Sequence, residues 1–185
     1  MPNWCDNELH IKGPDEDILD LVNQLEENAQ KSDRANEDYS FTDTFMPKPK
    51  IFHQRQAPEK DEEKAKQALH ETGHKDWYDW ANDDDNWGTK WGDCDTDIWV
   101  TEERIGGTYQ TAWSPLSIPF WTEVSKCYPT LIIAIGYREE GMAYEGAYAF
   151  YNGINVYDHS AETSPYLAEA LAMAESFAVE PLAKS

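Results

Sequence analysis

The sequence predicts an α+β fold: a split βαβ plait with helices on one face of an antiparallel sheet, a large and mostly helical insertion after the first helix, and a C-terminal hairpin plus helix. Three observations lead there. Apolar residues recur at helical spacing near residues 18–25 and 120–127, between short runs of strand-forming residues. The stretch from about Ala29 to Cys94 breaks that alternation with a polar run and then an aromatic block. Once it is set aside, the order is strand, helix, strand, strand, helix, strand, followed by a further hairpin and helix. A length of 185 residues suits one domain, residues 1–185 with 29–94 inserted, and is long enough to bury a core.

Asn7 to Ile11 alternates polar and apolar with Leu9 and Ile11 on one face, the pattern of a half-buried strand. Gly13 and Pro14 end it. Asp15 to Asp17 suit a helix amino terminus, and Ile18, Leu21, Val22 and Leu25 follow at i, i+3, i+4, i+7, an amphipathic helix. It fades into EENAQKSDRANED, after which Phe41, Phe45, Met46 and two prolines predict an extended segment with its aromatics tucked inward. From Pro58 to Glu71 a peripheral helix is expected, with Glu62 and Lys66 at i, i+4, a thin stripe of Ala65, Ala68 and Leu69, and Gly73 as its end.

Beyond the aromatic block, DIWVT (97–101) and TYQTAW (108–113) are expected to be strands of a hairpin joined across Ile105, Gly106 and Gly107. Ser117 or Ile118 caps a helix with Pro119 near its first position, which runs through Phe120, Trp121, Val124 and Cys127 and ends at Tyr128 and Pro129. LIIAIGY (131–137) is short, apolar and β-branched, so it predicts a central strand covered on both sides. Ala147 to Tyr151 and Ile154 to Tyr157, separated by Asn152 and Gly153, predict a second hairpin. Ser164 and Pro165 then open a helix to Phe177, with Leu167, Leu171 and Ala174 on one side and Tyr166, Ala170, Met173 and Phe177 beside them.

Lysine and arginine total 15 against 36 aspartates and glutamates, a net charge of −21. Such a charge repels phosphates, which disfavours direct binding to nucleic acid or an anionic membrane and favours a partner with a basic surface. With 40% hydrophobic residues the acids must coat a folded body. Cys5, Cys94 and Cys127 are odd in number and widely spaced, which supports neither a disulfide framework nor a zinc knuckle and fits a reducing cytoplasm. No leader-like start and no run of 18 apolar residues is present, so the expectation is a cytoplasmic protein away from membranes.

The least ordinary stretch is TGHKDWYDWANDDDNWGTKWGD, Thr72 to Asp93, with four of the eight tryptophans. Trp77 and Trp80 can share a helical face, whereas Asn86 and Gly88 favour irregular backbone between Trp87 and Trp91. Each buried ring removes about 150 to 250 Å² from water, so the block can clamp the insertion onto the fold. Alternatively it forms an aromatic shelf for a base or a partner side chain, with Lys90 as charged anchor. The candidate binding residues are Trp77, Tyr78, Trp80, Trp87, Lys90, Trp91, Trp113 and Tyr144. Tyr144 belongs to a glycine-flanked loop, Glu139 to Gly146, that suits either binding or packing against Trp113.

His70, Glu71, Thr72, Gly73 and His74 spell H-E-x-x-H, in which two histidines hold zinc. Gly73 ends the helix inside the motif and no clear third ligand follows, so no metal centre is expected, with His70 and His74 as the weak candidates. His10, His53 and His159 have no ligand spacing; G-x-S-x-G, P-loop and G-x-G-x-x-G motifs are absent. No catalytic residue and no cofactor is expected.

MPNWCDNELHIKGP, FTDTFMPKP, the tryptophan block, YQTAWSP and YREEGMAYEGAYAFYNG together resemble the YubB-type ferredoxin-like proteins of phages, prophages and conjugative plasmids, over about Met1 to Gly153. The resemblance implies a ferredoxin-like core and a mobile-element origin, and brings no catalytic residues. Two departures are His74, where the family tends to carry tyrosine, and Asp83 to Asp85, which enlarge a loop that is usually shorter. The leading expectation is a non-enzymatic acidic accessory protein that binds and inhibits a host defence protein, in one version by mimicking nucleic-acid charge. The alternative is a binder of a small nucleotide signal, with Lys90 or Arg104 on its phosphate. A zinc hydrolase acting through HETGH ranks third.

Overall fold

A computed structural model describes residues 3–31, 39–101, 104–161 and 166–179. Six strands, β1 (Trp4–Lys12), β2 (Cys94–Thr101), β3 (Arg104–Ala112), β4 (Ile132–Glu139), β5 (Tyr144–Tyr151) and β6 (Ile154–Ala161), form one antiparallel sheet in the order β2-β3-β1-β4-β5-β6. Strand β1 lies between β3 and β4, with Leu9 opposite Gly107 on one side and Ile135 on the other. The long helices are α1 (Asp15–Lys31), α3 (Glu62–Thr72), α5 (Ile118–Cys127) and α6 (Tyr166–Val179), with short α2 (Phe41–Phe45) and α4 (Trp77–Ala81).

The alternation of β1 decides which face is core. Cys5, Asn7, Leu9 and Ile11 are buried, whereas Trp4, Asp6 and Glu8 are exposed and His10 is half-buried. Against the buried face pack Ile18, Leu21 and Leu25 of α1 and Phe120, Trp121 and Val124 of α5. The stretch between α1 and β2 folds back onto this same core through Phe41, Phe52, Ala68, Trp80, Ala81 and Trp87. Helix α6 lies on the other face, where Ala170 and Ala174 meet Ile132, Ala134, Ala147 and Ala149. Its expected apolar flank divides: Ala170 and Ala174 are buried, Leu167 and Leu171 pack at the border, and Met173 and Phe177 stay exposed. Helices therefore cover both faces, α1 and α5 on one and the C-terminal α6 on the other, and β4 is enclosed as its apolar run predicts.

Two local expectations need correction. Phe41 to Phe45 is helical rather than extended, because Ser40 caps it, its Oγ accepting from Asp43 N, and a buried carboxylate described below takes its first amides. Gly106 and Gly107 lie within β3 instead of in a turn. A Cβ on Gly106 would sit 2.3 Å from the Trp99 indole of the neighbouring strand, so the glycine makes room for a ring. The second hairpin turns at Asn152 and Gly153, both at positive φ, as the dipeptide predicts. Ser164, Pro165 and the polar residues 32–38 fall outside the described residues, as does the side chain of Tyr166. Among the described residues no helix is long and apolar enough to cross a membrane.

Candidate functional site: an aromatic cage beside an acidic groove

The tryptophan segment splits into an inner and an outer half. Helix α4 starts at Asp76, whose carboxylate accepts from the amides of Tyr78 and Asp79, and it turns Trp80 into the core. Trp87 meets Trp80 edge to face, centroids 5.0 Å apart, and its Nε1 donates to the Met46 carbonyl at 2.9 Å. Both rings are buried, so for Trp80 and Trp87 the clamp reading holds. Trp77 is half-buried against the core, with the Lys48 ammonium 4.7 Å from its ring centroid.

Gly88, at φ +68°, turns the chain so that Lys90 and Trp91 leave the core. Thr89 then staples the segment to the end of β3: its hydroxyl donates to the Ala112 carbonyl at 2.8 Å and accepts the Ala112 amide at 3.1 Å. Trp113 follows at φ +68°, held by its amide on the Asn3 carbonyl at 2.9 Å and by the Tyr144 hydroxyl, which donates to its carbonyl. These ties bring Trp91 to 6.0 Å from Trp113 and 5.8 Å from Trp4, an aromatic strip in which Trp4 and Trp113 are each 38% exposed. The Lys90 ammonium stands 3.9 Å from the Tyr78 ring centroid and 5.5 Å from those of Trp91 and Trp113. The structure thus unites Tyr78, Lys90, Trp91, Trp113 and Tyr144, sets Trp77 edge-on against the Tyr78 ring at 4.0 Å, and separates Trp80 and Trp87 from them in the core.

What fastens this segment is a residue the sequence does not single out. Asp93 is fully buried and accepts from the Ser40, Thr42 and Thr96 hydroxyls and from the amides of Phe41 and Thr42. A carboxylate so supplied joins the start of α2 to the start of β2 across some fifty residues.

His74 follows Gly73, which closes α3 in the left-handed conformation. Its Nδ1 lies 2.9 Å from the Thr72 carbonyl and its Nε2 2.8 Å from Asp83 Oδ2, acceptors on both ring nitrogens. Partial burial opposes charge on the ring, but the Asp83 carboxylate, the Thr72 carbonyl and Asp79 outweigh it and hold the His74 pKa above the usual histidine value. The hydrogen bond from His74 in turn holds the Asp83 carboxyl below its usual value. His70 is an exposed residue of α3, so the H-E-x-x-H histidines serve different ends. Among the described residues no cluster of three or more metal-ligating side chains forms. Cys5 is a core residue whose thiol burial pushes up to about 12.

On the outward face of the sheet α6 covers β4 and β5 and leaves β1 and β3 open, which creates a groove of about 970 Å³. Asp6, Glu8, Asp95 and Glu145 line it, with Arg138 as the guanidinium and His10 beside Glu8 at 2.9 Å. Asp6 accepts from Gln110 Nε2 at 2.8 Å, and Arg138 lies at the limit of ion pairing, 4.0 Å from Glu145. Trp4 shares this face of β1 with Asp6 and Glu8, so the aromatic strip stands at the groove's end. The signal was available in the β1 alternation, since the residues that are not core form an acidic stripe.

The chain is thus a mixed α/β protein with a six-stranded antiparallel sheet, and its described surface includes an aromatic cluster around Lys90 and an acidic groove. No family model matches it, nor does any curated protein. Among solved structures it is similar to the crystal structure of a protein api92 from Yersinia pseudotuberculosis, with the family-model name DUF1281. That likeness has a TM-score of 0.55 at 9% identity and covers 90% of this chain and 100% of the other, which bears on the fold alone.

Proposed function

We propose that this chain is a non-enzymatic acidic binding protein that engages a partner protein with a basic surface and, in keeping with the YubB-type resemblance, is a phage or mobile-element accessory protein that inhibits a host defence component. The observation that carries the reading is the groove, where four carboxylates face one guanidinium beside an exposed tryptophan strip. Charge of that sign steers a basic partner, and the aromatic rings supply contact energy at its end. A partner that normally holds nucleic acid would find carboxylates where it expects phosphates. The order β2-β3-β1-β4, with β1 and β2 parallel on either side of β3, supports a ferredoxin-like plait extended by the β5–β6 hairpin and α6.

The nucleotide alternative needs cations gathered at the aromatic block. Lys48 and Lys90 stand there, over Trp77 and over Tyr78, whereas Lys12, Lys31, Lys64, Lys66 and Lys126 are scattered, each on a carboxylate, and Arg104 begins β3 at the far end of the strand from Trp113. Zinc hydrolysis loses support from the two acceptors already on the His74 ring. The test is a tagged pull-down from bacterial lysate at low and high salt, run beside Asp6→Asn/Glu8→Gln/Asp95→Asn. A stoichiometric protein that is released by high salt, competed by duplex DNA and not captured by the triple variant fits the proposal. Equal capture by the triple variant, or an eluate with a nucleotide and no protein, overturns it.

A further inference from the structure

We infer that Tyr78, Trp91 and Trp113 form a binding cage for an organic cation, an ammonium or guanidinium side chain of the basic partner, and that Lys90 is its resident occupant. Three π faces converge on one ammonium, at 3.9, 5.5 and 5.5 Å. Ring quadrupoles attract cations, and cages of this composition suit alkylammonium groups. The occupancy is notable for a chain of this composition. Acidic residues outnumber basic ones 36 to 15, and Lys12, Lys31, Lys64, Lys66 and Lys126 sit on carboxylates, whereas Lys48 meets one ring and Lys90 three. Lys90 makes no ion pair among the described residues and rests on rings instead.

The cage is built and reachable. Thr89 and the Trp113 backbone fix its walls to β3 and to Asn3, and Trp113 is 38% exposed. Trp91 lies 5.8 Å from Trp4, which shares its face of β1 with the groove residues Asp6 and Glu8, so a basic segment led along those carboxylates arrives beside rings already arranged for its charge. Lys90 then acts as a displaceable plug that occupies the space between the rings in the free protein. This deepens the reading of a basic partner and rests on it for the identity of the cation's owner, but the cage itself is tested without any partner.

The experiment follows the methyl proton resonance of tetramethylammonium chloride, with sodium chloride at equal ionic strength as control, against wild type, Lys90→Ala, Lys90→Arg and Lys90→Ala/Trp113→Ala. Lys90→Ala should produce a saturable upfield shift, with binding at least tenfold stronger than in wild type. Lys90→Arg should restore the wild-type response, and the double variant should lose the shift. Lys90→Gln is a second uncharged variant should Lys90→Ala fail to fold. No shift with either uncharged variant, equal binding by wild type, or a shift that survives loss of Trp113 overturns the inference. Failure here leaves the groove reading intact, because its carboxylates are untouched, and a failed capture of a partner leaves the cage result standing.

Discussion

Replacing Asp93 with alanine should be among the most damaging single changes away from the apolar core. Its carboxylate accepts from three hydroxyls and two amides, with no exposure to solvent. Hydrogen bonds to a charged acceptor contribute about 1.5 to 3 kcal/mol each, but they share one carboxylate and do not add. The hydroxyls can turn to other acceptors, whereas the amides of Phe41 and Thr42 cannot, and each stranded donor costs about 1 to 3 kcal/mol. A net loss of about 3 to 5 kcal/mol follows, comparable with breaking a buried charged network. For a chain of this size that is a fall in Tm of roughly 6 to 20 °C. Urea denaturation followed by tryptophan fluorescence measures it. Asp93→Asn keeps one accepting oxygen but turns an NH2 toward donors, so it should lose about 2 to 4 kcal/mol by the same reasoning. An Asp93→Ala protein within about 1 kcal/mol of wild type would refute the claim that this carboxylate fastens α2 to β2.

Trp87→Ala removes a buried ring and strands the Met46 carbonyl, and should destabilise by about 3 to 5 kcal/mol in the same denaturation assay, against about 1 to 2 kcal/mol for Trp87→Phe. Gly106→Val drives a side chain into the Trp99 indole and should displace that ring, at a cost of about 1 to 3 kcal/mol; near-ultraviolet circular dichroism reads the displacement. The His74 ring should titrate above the ordinary histidine value of about 6.5 by NMR and return toward it in Asp83→Asn. Because the folded pKa of His74 is raised and that of Asp83 is lowered, the pair's contribution is present from above the ordinary carboxylate range to about pH 6.5, is lost as pH rises through the folded histidine value, and is lost again in acid as Asp83 protonates. Solvent screening at the 38%-exposed Asp83 limits it to about 0.5 kcal/mol, so a His74→Ala protein should lose only that much at pH 6 and almost nothing at pH 9.

Periodicity carried the backbone of the fold. Leu9 and Ile11 alternate with charged neighbours, and Ile18, Leu21 and Leu25 recur at helical spacing, so β1 and α1 could be placed from the residues. The fate of individual tryptophans could not. Trp87 and Trp91 are four apart and chemically identical, yet one is core and the other is a half-buried member of the outer strip because Gly88 redirects the chain between them. Gly106 and Gly107 imitate a turn, and only the adjacent strand explains them, its Trp99 ring lying against Gly106 and its Asp97 carbonyl and Ile98 side chain against Gly107. Asp93 was illegible for a different reason: its donors lie at residues 40–42, and no local pattern announces a partner fifty positions away. In the candidate site Lys90 and its rings were legible as a group, whereas the acidic stripe became a groove only once α6 was seen to stop short of β1.

Helix α6 holds the sheet mainly through alanines, with Ala170 and Ala174 set against Ala134, Ala147 and Ala149. Small side chains bring the backbones close but remove little apolar area from water, and at about 25 cal/mol per Å² such a contact contributes less than the Leu, Phe and Trp core on the other face. The molecule therefore contains two layers of unequal strength, and its amide hydrogens should exchange in that order: α6 first, through a local opening, and β1, β4 and α5 only with the whole. Since α6 is one bank of the groove, the width offered to a partner is set by a fluctuation far less costly than unfolding.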